Sequence, residues 1–175
     1  MAAINYQTAL NFVWQPGFDD PRDGYHVTPG DAGGGTKGGV IEATWAAAVA
    51  KGLVTGTLAD ATNDQLAAVL RYDCWGTACD TLRAGVDLML FNGRMMSGGY
   101  PRIFQKCLGV YVDGDIGPIT LAVAAKANPA SLVEALTTAH LAYLSQLSSW
   151  PEFKNGWTHR CEAAQTAAIA LIAHK

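Results

Sequence analysis

Between Pro16 and Val40 the chain gathers most of the residues that could act on a substrate. The segment holds three prolines, eight glycines and four aspartates, a composition that makes turns rather than helix or continuous strand. A loop of this length is expected to be functional rather than a mere connector. Asp31 and Thr36 stand five residues apart in it, flanking Gly33-Gly34-Gly35. Just ahead, an apolar helical stripe through Ile4, Leu10, Val13 and Trp14 ends at Gln15-Pro16-Gly17, because proline cannot continue a helix and glycine tolerates the backbone that follows. An acid at a helix end, a loop carboxylate and a hydroxyl would make a kit for cleaving a glycosidic acetal. One carboxylic acid protonates the leaving oxygen, the second carboxylate activates water or steadies the positive charge, and the hydroxyl holds the water. The loop supplies Asp31 and Thr36. The helix end supplies Gln15, an amide, where an acid is wanted.

Other chemistries fit less well. Gly33 through Gly39 suggests a phosphate loop, but Thr36 and Lys37 stand in the wrong order for Gly-Lys-Thr and no buried strand precedes them. Cys74, Cys79, Cys107 and Cys161 match no zinc spacing and read as buried free thiols. Asp113-Gly114-Asp115 begins like a calcium loop but lacks the later ligands; Asp115 is expected to cap a helix starting at Ile116. No metal or other cofactor is expected. His26 reads as exposed and idle, Arg71 as a structural ion pair, and Trp157 as a core aromatic. Trp75 divides evenly between core and sugar platform.

The elements that must hold this loop are helical. Residues 3–15 form the first helix, and Tyr25-His26-Val27-Thr28 is the only strand-like run, expected in a short hairpin. Glu42–Lys51 reads as a helix closed by Gly52. Thr62 and Gln65 make a capping box for the next, whose apolar face is Leu66, Val69 and Leu70. A long buried helix is expected from Thr81 to about Met96, apolar on nearly every side. Shorter helices over 100–109 and 116–127 follow, then a long one from Pro129 to about Ser148, a break containing Pro151, and a final helix over 152–173. The fold class is therefore mostly α, with one small β element near the N-terminus.

Composition sets the outer bounds. The 175 residues are 50% hydrophobic and 15% charged, which excludes disorder as a description of the whole. A net charge of −3 argues against a nucleic-acid partner bound by charge. No apolar run approaches the length of a membrane span, and the apolar tail 163–173 reads as a packed helix. The first fifteen residues lack the basic and apolar regions of a secretory signal, so synthesis in a cytoplasm is expected.

Gln15-Pro16-Gly17-Phe18 followed by Asp31-Ala32-Gly33-Gly34-Gly35-Thr36-Lys37-Gly38-Gly39-Val40 resembles the E-G-G-Y … D-P-G-G-x-T-x-x-G-I signature of glycoside hydrolase family 108, the lysozyme-like N-acetylmuramidases. Cys74-Trp75 resembles its Y-W position. Gln105, Leu108-Gly109-Val110 and Asp113-Gly114 through Gly117-Pro118 and Thr120 resemble the block of its C-terminal, peptidoglycan-associated half. Phe153, Gly156-Trp157 and Arg160 resemble its closing F-x-x-G-W-x-x-R. Four pieces in order span nearly the whole chain.

The resemblance implies a lysozyme-like fold, with a catalytic lobe over residues 1–97 and a helical, peptidoglycan-associated lobe over 98–175 packed as one unit. It implies hydrolysis of the β-1,4 bond between N-acetylmuramic acid and N-acetylglucosamine. Position 15 would carry the general acid, with Asp31 and Thr36 beside it and Tyr72, Trp75 and Asn92 as sugar contacts. The partner would be the peptidoglycan glycan strand and the protein a monomer. An endolysin of this kind would be made in the host bacterial cytoplasm and act on periplasmic peptidoglycan after release.

Three departures stand out. Gln15 replaces the family's glutamate, several extra residues lie between Phe18 and Asp31, and Asn92 and Met96 occupy positions where Asp and Asn are usual. Gln15 has three readings: a Glu-to-Gln substitution that silences the enzyme, a natural binding protein without catalysis, or a shifted register with Asp19 or Asp20 as the acid. The intact Asp31 and Thr36 favour the first.

Overall fold

The computed structural model of the chain describes residues 2–27 and 34–174. The first helix, α1 (Ala2–Val13), is followed by a 3-10 turn (Pro21–Asp23) and three very short strands, β1 (His26–Val27), β2 (Gly35–Lys37) and β3 (Val40–Ile41). Helices α2 (Glu42–Ala50) and α3 (Asn63–Leu70) come next, then a π-helical turn (Arg71–Trp75) and α4 (Gly76–Thr81). The rest is α5 (Val86–Met96), α6 (Tyr100–Leu108), α7 (Pro118–Lys126), α8 (Pro129–Leu144) and α9 (Trp150–Ala173). The fold is mostly α with a small N-terminal antiparallel sheet, as the residue pattern predicts.

The contacts divide the chain into two units, one of residues 6–76 and one of residues 1–5 with 77–175. The sequence places a divide after residue 97, between α5 and α6. In the structure α5 packs on α6, α8 and α9 and belongs with them.

In the unit of residues 6–76, the three strands run in the order β1-β2-β3, all antiparallel. Thr36 stands opposite His26 on one side and Ile41 on the other. Lys37 and Val40 pair across Gly38-Gly39, both at positive φ (57° and 81°), which is the two-residue turn that matches strand twist and that other residues enter only under strain. The core comprises Val13, Trp45, Leu58, Leu66, Leu70 and Trp75. Thr62 caps α3 as expected: its side chain accepts from the Gln65 N–H, and the Gln65 side chain accepts from the Thr62 N–H.

In the helical unit, α5 is buried along nearly its full length. The predicted 81–96 helix is interrupted, however. α4 ends at Thr81, whose hydroxyl bonds back to the Thr77 carbonyl (3.2 Å), and α5 restarts at Val86 behind Gly85. Asp87 anchors the restart, accepting from the Asn5 amide at 2.8 Å. Asp115 does not cap a helix. Gly117 holds the N-cap position of α7, and Asp115 instead closes a loop clasped by the buried Gln105, which donates to Asp113 Oδ1 (2.6 Å) and the Asp115 carbonyl (2.9 Å) and accepts from the Gly114 N–H (2.7 Å). Pro151 lies in the first turn of α9 rather than in a break, where a missing N–H costs nothing. Trp157 is half-buried and stacks on Phe153 at 5.5 Å, so it lines the flank of α9 rather than the core.

A polar knot sits among these helices. His140 is 2% exposed, with Nε2 3.1 Å from Ser97 Oγ and Nδ1 3.6 Å from Cys161 Sγ. The Tyr100 ring packs edge-on at 4.7 Å. Burial, aided by the Arg160 charge, pushes the His140 pKa down to about 4, so the ring is neutral at ordinary pH.

Candidate active site

The site builds from the end of α1. After Val13 the backbone folds back on itself: the Phe18 N–H donates to the Gln15 carbonyl (3.2 Å) and the Asp19 N–H to the Val13 carbonyl (3.2 Å). Phe12 and Phe18 close the turn with ring centroids 5.5 Å apart. The Trp14 indole N–H then reaches across to the Gly38 carbonyl at 3.0 Å. That bond docks the helix end on the β2–β3 turn, two residues beyond Thr36. Gln15, the residue after Trp14, is half-buried.

Thr36 is itself unusual. Its hydroxyl oxygen is buried and has no hydrogen-bond partner among the described residues. A buried hydroxyl left unpaired costs about 1–3 kcal/mol, so a water or a substrate group that reached it would gain a favourable hydrogen bond. Asp31, the predicted partner carboxylate, lies outside the described residues.

Two further residues belong to this hairpin that sequence reasoning did not single out as site residues. The Tyr25 hydroxyl bonds the Glu42 carboxylate, which raises the phenol's pKa above its ordinary value. The phenol lies directly over Gly35, where any Cβ would collide with its ring and oxygen. Gly35 thus serves as the gap through which the Tyr25 side chain crosses the sheet. The signal was present in the glycine run, but which of its members faces a neighbour is a tertiary matter.

The register-shift reading is corrected for Asp20. Its carboxylate is clasped by the Arg22 guanidinium (Nε to Oδ1 and to Oδ2, both 2.9 Å) and by the Arg22 N–H (3.0 Å). These bonds hold its pKa below the usual carboxylate range, the opposite of what a general acid requires. Lys37 donates to the carbonyls of Ala59 (2.8 Å) and Ala61 (2.9 Å), a structural tie to the segment ahead of α3.

The expected sugar contacts fare unequally. Trp75 is 0% exposed and packs edge-on to Tyr6 at 5.3 Å. It is corrected from platform to core, because no ring face is open. Asn92 is likewise buried. Its Oδ1 accepts from Arg160 Nε at 2.8 Å and its Nδ2 lies 3.6 Å from Met96 Sδ, so its amide is engaged inside the helical unit rather than offered to a ligand. Tyr72 is 56% exposed, with Lys51 Nζ 4.8 Å from its ring centroid, and remains an accessible aromatic on the π-helical turn. Arg71 has a structural role, donating to the Gly76 carbonyl (3.2 Å) and lying over the Tyr6 ring. His26 is exposed, as predicted.

Comparison with known proteins gives two segment matches and a structural relative. A family model described as Glycosyl hydrolase 108 matches residues 23–98, and one described as "Predicted Peptidoglycan domain" matches residues 101–162. A solved structure titled as that of Brucella abortus SagA superposes with a TM-score of 0.82 and 28% sequence identity, covering 97% of this chain and 96% of that one. No curated protein sequence matches the chain.

Proposed function

We propose that this chain, whose residues 23–98 match the glycosyl hydrolase 108 family model and whose residues 101–162 match a predicted peptidoglycan domain, is built to hydrolyse the β-1,4 bond between N-acetylmuramic acid and N-acetylglucosamine in peptidoglycan. The observation that supports the reading is the Trp14–Gly38 bond, which ties the residue ahead of position 15 to the turn that follows Thr36, whose buried hydroxyl has no partner among the described residues. A glutamate at position 15 would protonate the leaving oxygen from a half-buried helix end, where loss of hydration raises a carboxyl pKa. Asp31 would stabilise the oxocarbenium-like charge or activate the water, and Thr36 would hold that water. Tyr72 would contact sugar.

Gln15 cannot supply a proton at any relevant pH. The chain as it stands is a poor catalyst on this reading, since general acid catalysis contributes about 10²–10⁴-fold. Within the same proposal it is made in the host bacterial cytoplasm and reaches the wall after release, acting as a monomer.

The same Gln15 favours a second reading, a peptidoglycan-binding protein without catalysis. One experiment separates the two. The protein and its Gln15→Glu form are incubated with purified sacculi and the fragments read by mass spectrometry. New reducing muramic-acid ends from Gln15→Glu alone support the hydrolase and the acid position. Binding without cleavage by either form supports the second reading. Equal cleavage by both moves the acid to Asp19.

A further inference from the structure

A cleft of about 420 Å³ opens in the helical unit where the end of α6, the end of α7 and the start of α8 meet. Its volume lies within the range of small-ligand sites, about 300–1,000 Å³. It is far in sequence from the hairpin, and its lining falls wholly within residues 107–135, inside the peptidoglycan-matched segment.

The walls are aliphatic and small, including Leu108, Val123, Ala127, Leu132 and Ala135. The one charged lining side chain is Lys126. A second source of positive potential is the start of α8, a 16-residue helix capped by the Asn128 side chain. The opposing carbonyls at the end of α7 are partly neutralised, since Arg83 donates to the Ala125 carbonyl at 2.6 Å. No aromatic and no acidic side chain lines the cleft among the described residues. It therefore offers no ring on which a sugar face could stack and no counter-charge for an amine. What it suits is a carboxylate flanked by methyl groups.

We propose that this cleft binds the C-terminal end of a peptidoglycan stem peptide, an acyl-D-alanine carboxylate, with Lys126 pairing the carboxylate and the aliphatic walls receiving the methyl side chains. The inference rests on peptidoglycan being the partner and adds to it a second recognition point on the peptide rather than the glycan. The helical unit would hold the enzyme on cross-link-free stems while the hairpin site addresses the strand.

Cys107 lines the cleft and is half-buried, while Cys74, Cys79 and Cys161 are buried, so alkylation of the full-length protein reports on this one place. The probe is a soluble stem pentapeptide ending in D-Ala-D-Ala, with its C-terminally amidated form as control. The acid peptide is expected to slow Cys107 alkylation, and the amide to do so about tenfold less potently. Lys126→Met should weaken protection about tenfold, Lys126→Arg should largely keep it, and Ala135→Phe should abolish it by filling the cleft. Equal potency of acid and amide, or indifference to Lys126→Met, overturns the proposal. Cosedimentation with intact and peptide-stripped sacculi separates its failure from that of the wider reading. Equal binding to both with no peptide protection overturns the cleft alone. No binding to either sacculus and no peptide protection overturns both.

Discussion

The indole nitrogen of Trp14 lies 3.0 Å from the carbonyl oxygen of Gly38, and this contact joins the end of α1 to the glycine turn between β2 and β3. Neither residue touches substrate in the proposed reaction. In that reaction their role would be to hold the segment of residue 15 against the turn that follows Thr36.

Trp14→Phe keeps most of the ring and removes the N–H. The lost bond should cost about 1 kcal/mol of stability. In the Gln15→Glu background kcat should fall about tenfold or more with KM little changed, because loosened positioning raises the barrier without removing substrate contacts. Steady-state kinetics on soluble glycan fragments checks the split; an equal change in both parameters points to damage elsewhere.

Thr36→Val exchanges the buried, unpartnered hydroxyl for a methyl group of similar shape. Removing an unsatisfied polar atom should leave stability unchanged or raise it by up to about 1 kcal/mol. The same change should depress activity of the Gln15→Glu form about tenfold or more, if the hydroxyl holds the water. Denaturant melts read beside activity provide the check, and a destabilised Thr36→Val variant would count against an open hydroxyl.

Gly35→Ala puts a methyl group into the space occupied by the Tyr25 ring. Relief requires Tyr25 to swing away and give up Glu42. Because Tyr25 is partly exposed and meets Gly35 with the far end of its side chain, a loss of about 1 kcal/mol or less is expected, and the double variant Gly35→Ala with Tyr25→Ala should show no further loss from the alanine at position 35. Thermal unfolding of the set tests the coupling.

His140 makes stability depend on acidity. Its folded-state pKa of about 4 lies below the ordinary value of 6.5, so between those values the unfolded chain binds more protons. Stability contributed by the neutral ring is therefore full above about pH 6.5 and is lost as pH falls toward 4, by about 3 kcal/mol. His140→Gln should be less stable near neutrality yet show a flatter decline across that window. Urea titrations at a series of pH values measure it.

Much of the fold was legible because its signals are local. The Thr62–Gln65 capping box, the stop at Pro16-Gly17, the glycine that ends α6 and the proline-led starts of α7 and α8 each follow from one or two residue types. The break between α4 and α5 was not legible, because a run apolar on every side carries no periodicity to show where one helix yields to another. Asp115 misled for a related reason: an aspartate ahead of a helix looks like a cap until a distant glutamine, Gln105, claims its loop.

The amino-acid sequence by itself determined the family motifs, the mostly α class and the presence of an amide at position 15, since these depend on residue identity and order. Only the tertiary structure decided what each side chain meets. Trp75 and Asn92 carry the right chemistry for sugar contact, yet burial closes both; Asp20 carries the right chemistry for an acid, yet Arg22 keeps it ionised. Burial and pairing are set by residues far away in the chain or by the path of a turn, so identical side chains become core, clamp or catalyst according to their neighbours.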